Sequence, residues 1–208
     1  MALAEKVEWE IAKQNITADE DFTNLKEEKL VRVDLACGNN KKDGFVGIDL
    51  HRTEKVDIVH NLLEEFPWPL KDNSVYEFYC SHFVEHIPIQ LKDGLYGMNK
   101  FMEEVWRCLI PGGIIQIVAP YYTSIRAHQD PTHCRSITEL TFGYYNKKIV
   151  ESMGVGHYMG KCNFESISKT YALYPEWEAK HPDAQEWARQ HYYNVVADIS
   201  FVLRKIEL

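Results

Sequence analysis

Five short runs rich in β-branched and aromatic residues recur along the chain, at 31–35, 45–49, 56–59, 75–80 and 114–118. Turn residues bound them, and a long helical pattern separates the fourth from the fifth. Runs of this length, interleaved with helical patterns, predict a parallel α/β sheet. The first, Val31-Arg32-Val33-Asp34-Leu35, passes directly into the small polar turn Ala36-Cys37-Gly38-Asn39-Asn40. A glycine turn placed immediately after a strand lets a ligand's polar group come close to the backbone.

The clearest helix lies between the fourth and fifth runs. Met98, Phe101, Met102, Val105, Trp106 and Leu109 follow i, i+3, i+4, i+7, i+8, i+11 spacing, which is one apolar stripe facing the core. Pro111-Gly112-Gly113 is expected to stop this helix and turn the chain into the next strand. The last third reads differently. Val195, Ala197, Ile199, Phe201 and Leu203 alternate with mainly polar neighbours, the pattern of a half-buried antiparallel strand. A partner strand is expected near 163–173. Between them, 175–191 looks helical with an interruption at Pro182, an insertion within an antiparallel pair at the sheet edge. Residues 1–29 are charged with sparse apolar positions and read as a lead-in segment, so the expected division is 1–29 and one domain over 30–208.

Composition narrows the class. A chain of 208 residues with 45% apolar and 26% charged content has the balance of an ordinary globule. No apolar run is long enough to span a bilayer and no secretory leader is visible, so the expectation is a cytoplasmic protein without membrane contact. The five cysteines (Cys37, Cys80, Cys108, Cys134, Cys162) form no CxxC pair, which argues against a zinc ribbon or disulfide framework. A net charge of −8 disfavours broad capture of nucleic acid, although the eight acids and four lysines of residues 1–29 supply half of that excess.

Three strand tips point to the ligand. Asp49 ends the second strand, where a carboxylate can accept hydrogen bonds from two ribose hydroxyls. His60-Asn61-Leu62 ends the third, where a side-chain amide can meet a base edge. Cys80-Ser81-His82 ends the fourth, at the crevice where open α/β sheets bind ligands. Together they suit a nucleoside-containing molecule. A nicotinamide dinucleotide fits poorly. Its usual GxGxxG fingerprint opens a helix, whereas this turn has one glycine and only nine residues, 36–44, join the first two strands.

With these residues in place, the sequence resembles the class I S-adenosylmethionine-dependent methyltransferases over roughly 30–120. "VDLACGNNKKDGFVGIDL" is similar to that family's first motif running into its ribose-binding acid. "DIVHNLLEEFPWPLKDNSVYEFYCSHFVEHI" is similar to its adenine-contacting loop and fourth strand, and "MEEVWRCLIPGGIIQIVAP" to its helix, Pro-Gly-Gly turn and fifth strand. The resemblance implies a Rossmann-like, mostly parallel seven-stranded sheet of order 3-2-1-4-5-7-6 with the last strand antiparallel. It implies S-adenosyl-L-methionine as cofactor and methyl transfer as the activity. By position, Ala36 and Gly38 would approach the methionine part, with Asp34 either touching its amino group or orienting the loop. Asp49 and Leu50 would hold the ribose end, Asn61 and Leu62 the adenine, and Ser81 and His82 would sit near the sulfonium. Ala36 stands where the family usually has glycine, a methyl group that a negative φ would accommodate, and Asn61 stands where it usually has aspartate.

"YYTSIRAHQDPTHCRS" is the richest stretch outside that half. Tyr121, Tyr122, Arg126, His128 and His133, with Arg135, would face a small polar or anionic acceptor. His82 and His133 are the candidate bases, His133 ranked slightly ahead, for an acceptor that must lose a proton. Two metal readings stand against structural roles, His82 with His86 at i, i+4 and His128, Asp130 and His133 in one loop; neither is preferred, and no metal is expected. Cys37 reads as a small loop residue. Two rival functions stand beside methyl transfer: a catalytically silent cofactor-binding subunit, and aminopropyl transfer, which would want an acidic cluster near the fourth strand tip.

Overall fold

A computed structural model describes residues 31–158 and 160–208. The lead-in segment expected over 1–29 lies outside the described residues. The strands are β1 (Val31–Leu35), β2 (Val46–Asp49), β3 (Ile58–Val59), β4 (Val75–Ser81), β5 (Leu109–Pro120), β6 (Phe164–Leu173) and β7 (Val196–Lys205). The helices are α1 (Gly97–Cys108), α2 (Arg126–Gln129), α3 (Lys147–Ser152), α4 (Pro175–Glu178) and α5 (Pro182–His191). The strands form one sheet of order β3-β2-β1-β4-β5-β7-β6. β3 through β5 run parallel, and β7 is antiparallel to both β5 and β6. The order and the reversed last strand are those expected.

The core explains the order. Val33, Leu35, Phe78, Cys80, Ile115, Ile117 and Ile199 are fully buried at the centre of the sheet. α1 covers one face with Met98, Phe101, Met102 and Val105, the apolar stripe read from spacing. Trp68 is wedged beneath it, its ring edge-on to Phe101 at 5.5 Å and to Phe78 at 6.2 Å. Its indole N–H donates to the Leu62 carbonyl at 3.1 Å, so this large ring is buried without an orphaned donor.

Two details differ from the periodic pattern. β3 is only two residues long, where 56–59 was expected. The reason is Asp57, whose Oδ2 accepts the Gly47 N–H at 2.7 Å and the Lys41 ammonium at 2.7 Å, so a side chain replaces a rung of the ladder. The Pro-Gly-Gly turn does not sit between α1 and β5. Helix α1 ends at Cys108, and Leu109 already pairs with Val75, while Ile114 pairs with Glu77. Residues 110–113 are therefore a wide bulge at the start of β5, with Gly112 at φ +77°. The connection from β1 to β2 contains turns and no helix.

Candidate functional site

The first half of the site is the turn after β1, held from both sides by hydrogen bonds. Cys37 N–H donates to the Ile48 carbonyl at 3.3 Å and Asn40 N–H to the Cys37 carbonyl at 2.9 Å. Lys42 N–H donates to Asp34 Oδ2 at 2.7 Å, and Gly38 N–H to Asp49 Oδ2 at 2.9 Å. These bonds fix a left-handed bend at two positions, Ala36 at φ +54° and Gly38 at φ +52°. Ala36 does not adopt the negative φ that would accommodate its methyl group. An L-residue in this region costs about 1–2 kcal/mol, which the surrounding bonds must offset.

Asp34 is buried, and burial pushes its carboxyl above the usual range, opposed by the Lys42 N–H and the charges of Lys42 and Lys41. With its oxygen on Lys42 N–H, Asp34 orients the loop, the second of its two anticipated roles. Burial, with Asp34 and Asp49 nearby, pushes the Cys37 thiol up to about 12, so it is no nucleophile. Asp49 stands at the tip of β2. Its Oδ1 accepts His51 N–H at 2.9 Å, so each oxygen has one backbone donor and retains further acceptor capacity. A β-carbon placed on Gly38 would meet no heavy atom within 4 Å, so the turn opens onto free space beside this carboxylate. Leu50, next along, is 51% exposed.

At the tip of β3, Asn61 opens a turn. Its Oδ1 accepts Leu63 N–H at 3.1 Å, and its carbonyl accepts the N–H groups of Glu64 and Glu65. One lone pair of Oδ1 is thus engaged in an Asx turn, which the sequence pattern did not show. Leu62 is buried, with its carbonyl on Trp68.

The second half is built at the tip of β4. His82 has φ +53° and is locked by its N–H donating to the Val118 carbonyl at 2.8 Å. Ser81 Oγ lies 2.9 Å from His82 Nδ1. His82 Nε2 lies 3.3 Å from Asp198 Oδ1 and 3.3 Å from an Arg126 nitrogen, while Arg126 Nη1 donates to Asp198 Oδ2 at 2.8 Å. These contacts describe two proton states of one arrangement. A protonated Nε2 donates to Asp198; an unprotonated Nε2 accepts from Arg126. The hydrogen bond to Asp198 raises the His82 pKa above its ordinary value, against desolvation and the Arg126 charge.

The loop after β5 is divided in its roles. Tyr121 is buried, its ring edge-on to Tyr122 and Tyr171 and its hydroxyl donating to Glu139, so it belongs to the core instead of facing an acceptor. Tyr122 is partly exposed. His128 Nε2 lies 3.0 Å from the Tyr122 carbonyl and closes the loop on itself. Arg135 donates to the Ile87 and Pro88 carbonyls and ties the loop to the chain after β4. It also lines a cleft of about 410 Å³ with Ile89, Tyr96, Met98 and Tyr145, which shares no lining residue with Gly38, Asp49 or His82. His133 is turned towards His86, ring centroids 4.6 Å apart. His128, Asp130 and His133 form no metal-sized cluster among the described residues.

Comparison with solved structures places this geometry in context. A SAM-dependent methyltransferase from Archaeoglobus fulgidus superposes with a TM-score of 0.53 and 17% identity, over 86% of this chain and 87% of that one. A candidate sarcosine dimethylglycine methyltransferase from Galdieria sulphuraria gives 0.51 and 13%, over 86% and 79%. A candidate methyltransferase from Bacillus halodurans C-125 gives 0.50 and 16%, over 86% and 94%. The chain has the class I methyltransferase fold. No protein-family model and no curated protein matches its sequence.

On the class I methyltransferase fold, Gly38, Asp49, Asn61, Ser81 and His82 all lie at the carboxyl ends of β1 to β4 or in the turns that follow. The residue that sequence reading missed is Asp198. It sits in β7, 116 positions from its partner His82, as one of the polar residues in an alternating pattern. The available signal was a carboxylate at the start of an antiparallel strand, which returns to the same edge where β5 ends. Asp198 pairs with Pro120 in that register.

Proposed function

We propose that the chain is a methyltransferase that uses S-adenosylmethionine and acts on a small polar acceptor. The observation that carries this reading is the Asp49 carboxylate, fixed at the β2 tip by Gly38 and His51 N–H groups beside the open space over Gly38. A nucleoside fits that arrangement: Asp49 would accept from its ribose hydroxyls, and the free edge of Asn61 with the Leu62 backbone would meet its base. The turn from Ala36 to Gly38 would face the amino-acid portion. When bound, the cofactor supplies an electrophilic methyl group.

What remains for the chain is to position the acceptor, exclude water and handle a proton. His82 is placed for the last task. In its neutral form Nε2 accepts from Arg126; on taking a proton it turns that N–H to Asp198, without moving the ring. This reading places His82 ahead of His133 as the base, reversing the ranking from sequence. Tyr122 and Arg126 border the acceptor side. A cytoplasmic location and a small-molecule acceptor are part of the proposal; among the described residues no helix is long and apolar enough to cross a membrane.

Titration calorimetry with S-adenosylhomocysteine tests the cofactor reading. Asp49→Ala is expected to weaken binding by about 1–3 kcal/mol, roughly 5- to 150-fold, through loss of charge-assisted hydrogen bonds. Unchanged affinity in that variant would remove Asp49 from the ribose site.

A further inference from the structure

Among the described residues, Glu85 is the buried side chain with two polar atoms left without a hydrogen-bond partner. It is 2% exposed, and neither carboxylate oxygen has a hydrogen-bond partner. A buried carboxylate left without donors is costly unless something else compensates it. Two imidazoles stand against it. Ligand atoms of Glu85, His86 and His133 all lie within 4.8 Å of one another.

The surroundings fix which nitrogen each ring presents. His133 Nδ1 is 3.1 Å from the Ala127 carbonyl, which can only accept, so Nδ1 carries the proton. His86 Nδ1 is 2.9 Å from Thr132 Oγ1, whose single hydroxyl proton is donated to Asp130 Oδ1 at 2.7 Å. Thr132 therefore accepts from His86, and Nδ1 carries the proton there too. Both rings are left with an Nε2 lone pair. Metal-binding histidines are oriented this way, with the second ring N–H on a carbonyl or on a hydroxyl backed by a carboxylate.

We propose that Glu85, His86 and His133 form a binding site for a divalent transition metal of the zinc class. Two imidazoles and one carboxylate are a common zinc donor set, and three protein ligands leave one position open to water or an acceptor oxygen. Metal–ligand bonds near 2 Å put tetrahedral ligand atoms roughly 3.3 Å apart, so groups whose ligand atoms stand up to 4.8 Å apart need to close by up to about 1.5 Å. The ion would join the turn after β4 to the loop after β5 and compensate the Glu85 charge. The inference is independent of the methyl-transfer reading. It explains why a buried acid lies close to two histidines that the sequence placed in two separate metal readings.

The test uses the full chain with any affinity tag removed, stripped with chelator and titrated with zinc sulfate. One zinc per chain is expected, with a rise in thermal midpoint, because an ion that binds only the folded state stabilises it. His86→Ala and His133→Ala should each weaken zinc binding by about 100-fold or more, since each removes a ligand directly. Cys134→Ser should bind as the wild type does, although Cys134 is exposed next to His133. Glu85→Gln keeps the shape and removes the charge. Without metal it should be at least as stable as the wild type, and zinc should no longer raise its midpoint. No stoichiometric zinc at 10-micromolar protein, at order-of-magnitude excess metal, would overturn the site. So would binding that survives the three ligand substitutions together, or that is lost with Cys134→Ser. A metal-free Glu85→Gln protein less stable than wild type, with wild type indifferent to zinc, would assign Glu85 a proton-sharing structural role instead.

Discussion

His82 owes its character to Asp198, and its titration exposes the dependence. Its pKa is raised above the ordinary value of 6.5, first by the hydrogen bond to Asp198 and opposed by desolvation. A group whose folded pKa is raised contributes stability fully below the unfolded value and loses it as pH rises through the folded value. The contribution is small, because the His82 side chain is 37% exposed. Asp198→Asn should lower the His82 pKa, measured by NMR titration of its ring protons, since desolvation and the Arg126 charge are then opposed only by the Glu85 charge. Glu85, the remaining charge near the ring, is unchanged by that substitution. A pKa that does not fall would mean Glu85 and not Asp198 sets it. At this scale the sequence was readable where the geometry depends on neighbours in the chain. Gly38 and Asp49 are eleven positions apart, and their strand-tip spacing announced them. His82 with Asp198, and Glu85 with His133, were not legible, because their meeting depends on strand pairing and loop path. The left-handed φ at Ala36 was hidden too, since nothing in an alanine predicts it.

Among the elements, α1 shows how a correctly read helix can still hold a concealed function. Its apolar stripe followed from spacing, and its bounds moved by only a residue. Its polar edge did not follow. Glu104 is 4% exposed, and its Oε2 accepts the Trp68 N–H at 2.8 Å and an Arg107 N–H at 2.7 Å, with Oε1 taking a second Arg107 N–H at 2.9 Å. Arg107 continues to the Leu70 carbonyl at 2.8 Å and to Asp72 at 2.6 Å. One helical turn thereby fastens the segment that carries Trp68 into the core. Glu104→Ala should cost about 2–4 kcal/mol in chemical denaturation, because it leaves a buried N–H unpaired and breaks a largely buried bidentate pair. Glu104→Gln should cost less, as one oxygen still serves Trp68. A Glu104→Ala loss below about 0.5 kcal/mol would show that burial of the indole alone holds the segment. The bulge at 110–113 was misplaced for a related reason. Pro-Gly-Gly signals a turn without saying whether the strand has already begun, and pairing of Leu109 with Val75 decides it.

Across the whole molecule, the sheet order divides the work. β1 and β4 are neighbours at the centre, and successive strands run outward from them in opposite directions. Open α/β sheets bind ligands at this point of reversal, outside the carboxyl ends of the strands. The β1–β2–β3 side carries Gly38, Asp49 and Asn61, while the β4–β5–β7 side carries His82, Arg126 and Asp198. A nucleoside-containing cofactor lying across the reversal would have its nucleoside on the first side and its reactive end on the second. The two sides should then be separable with truncated ligands, without knowledge of the acceptor. Asp49→Ala is expected to weaken adenosine and S-adenosylhomocysteine by the same factor, because both carry the ribose. His82→Ala should leave adenosine affinity within about twofold of wild type, since no contact to the nucleoside is removed. Its effect on S-adenosylhomocysteine should be confined to whatever the ring contributes near the sulfur. Calorimetric titration of both ligands into both variants measures all four quantities. If His82→Ala weakened adenosine as much as Asp49→Ala does, the nucleoside would reach across β4, and the division of the site into two sides would fall.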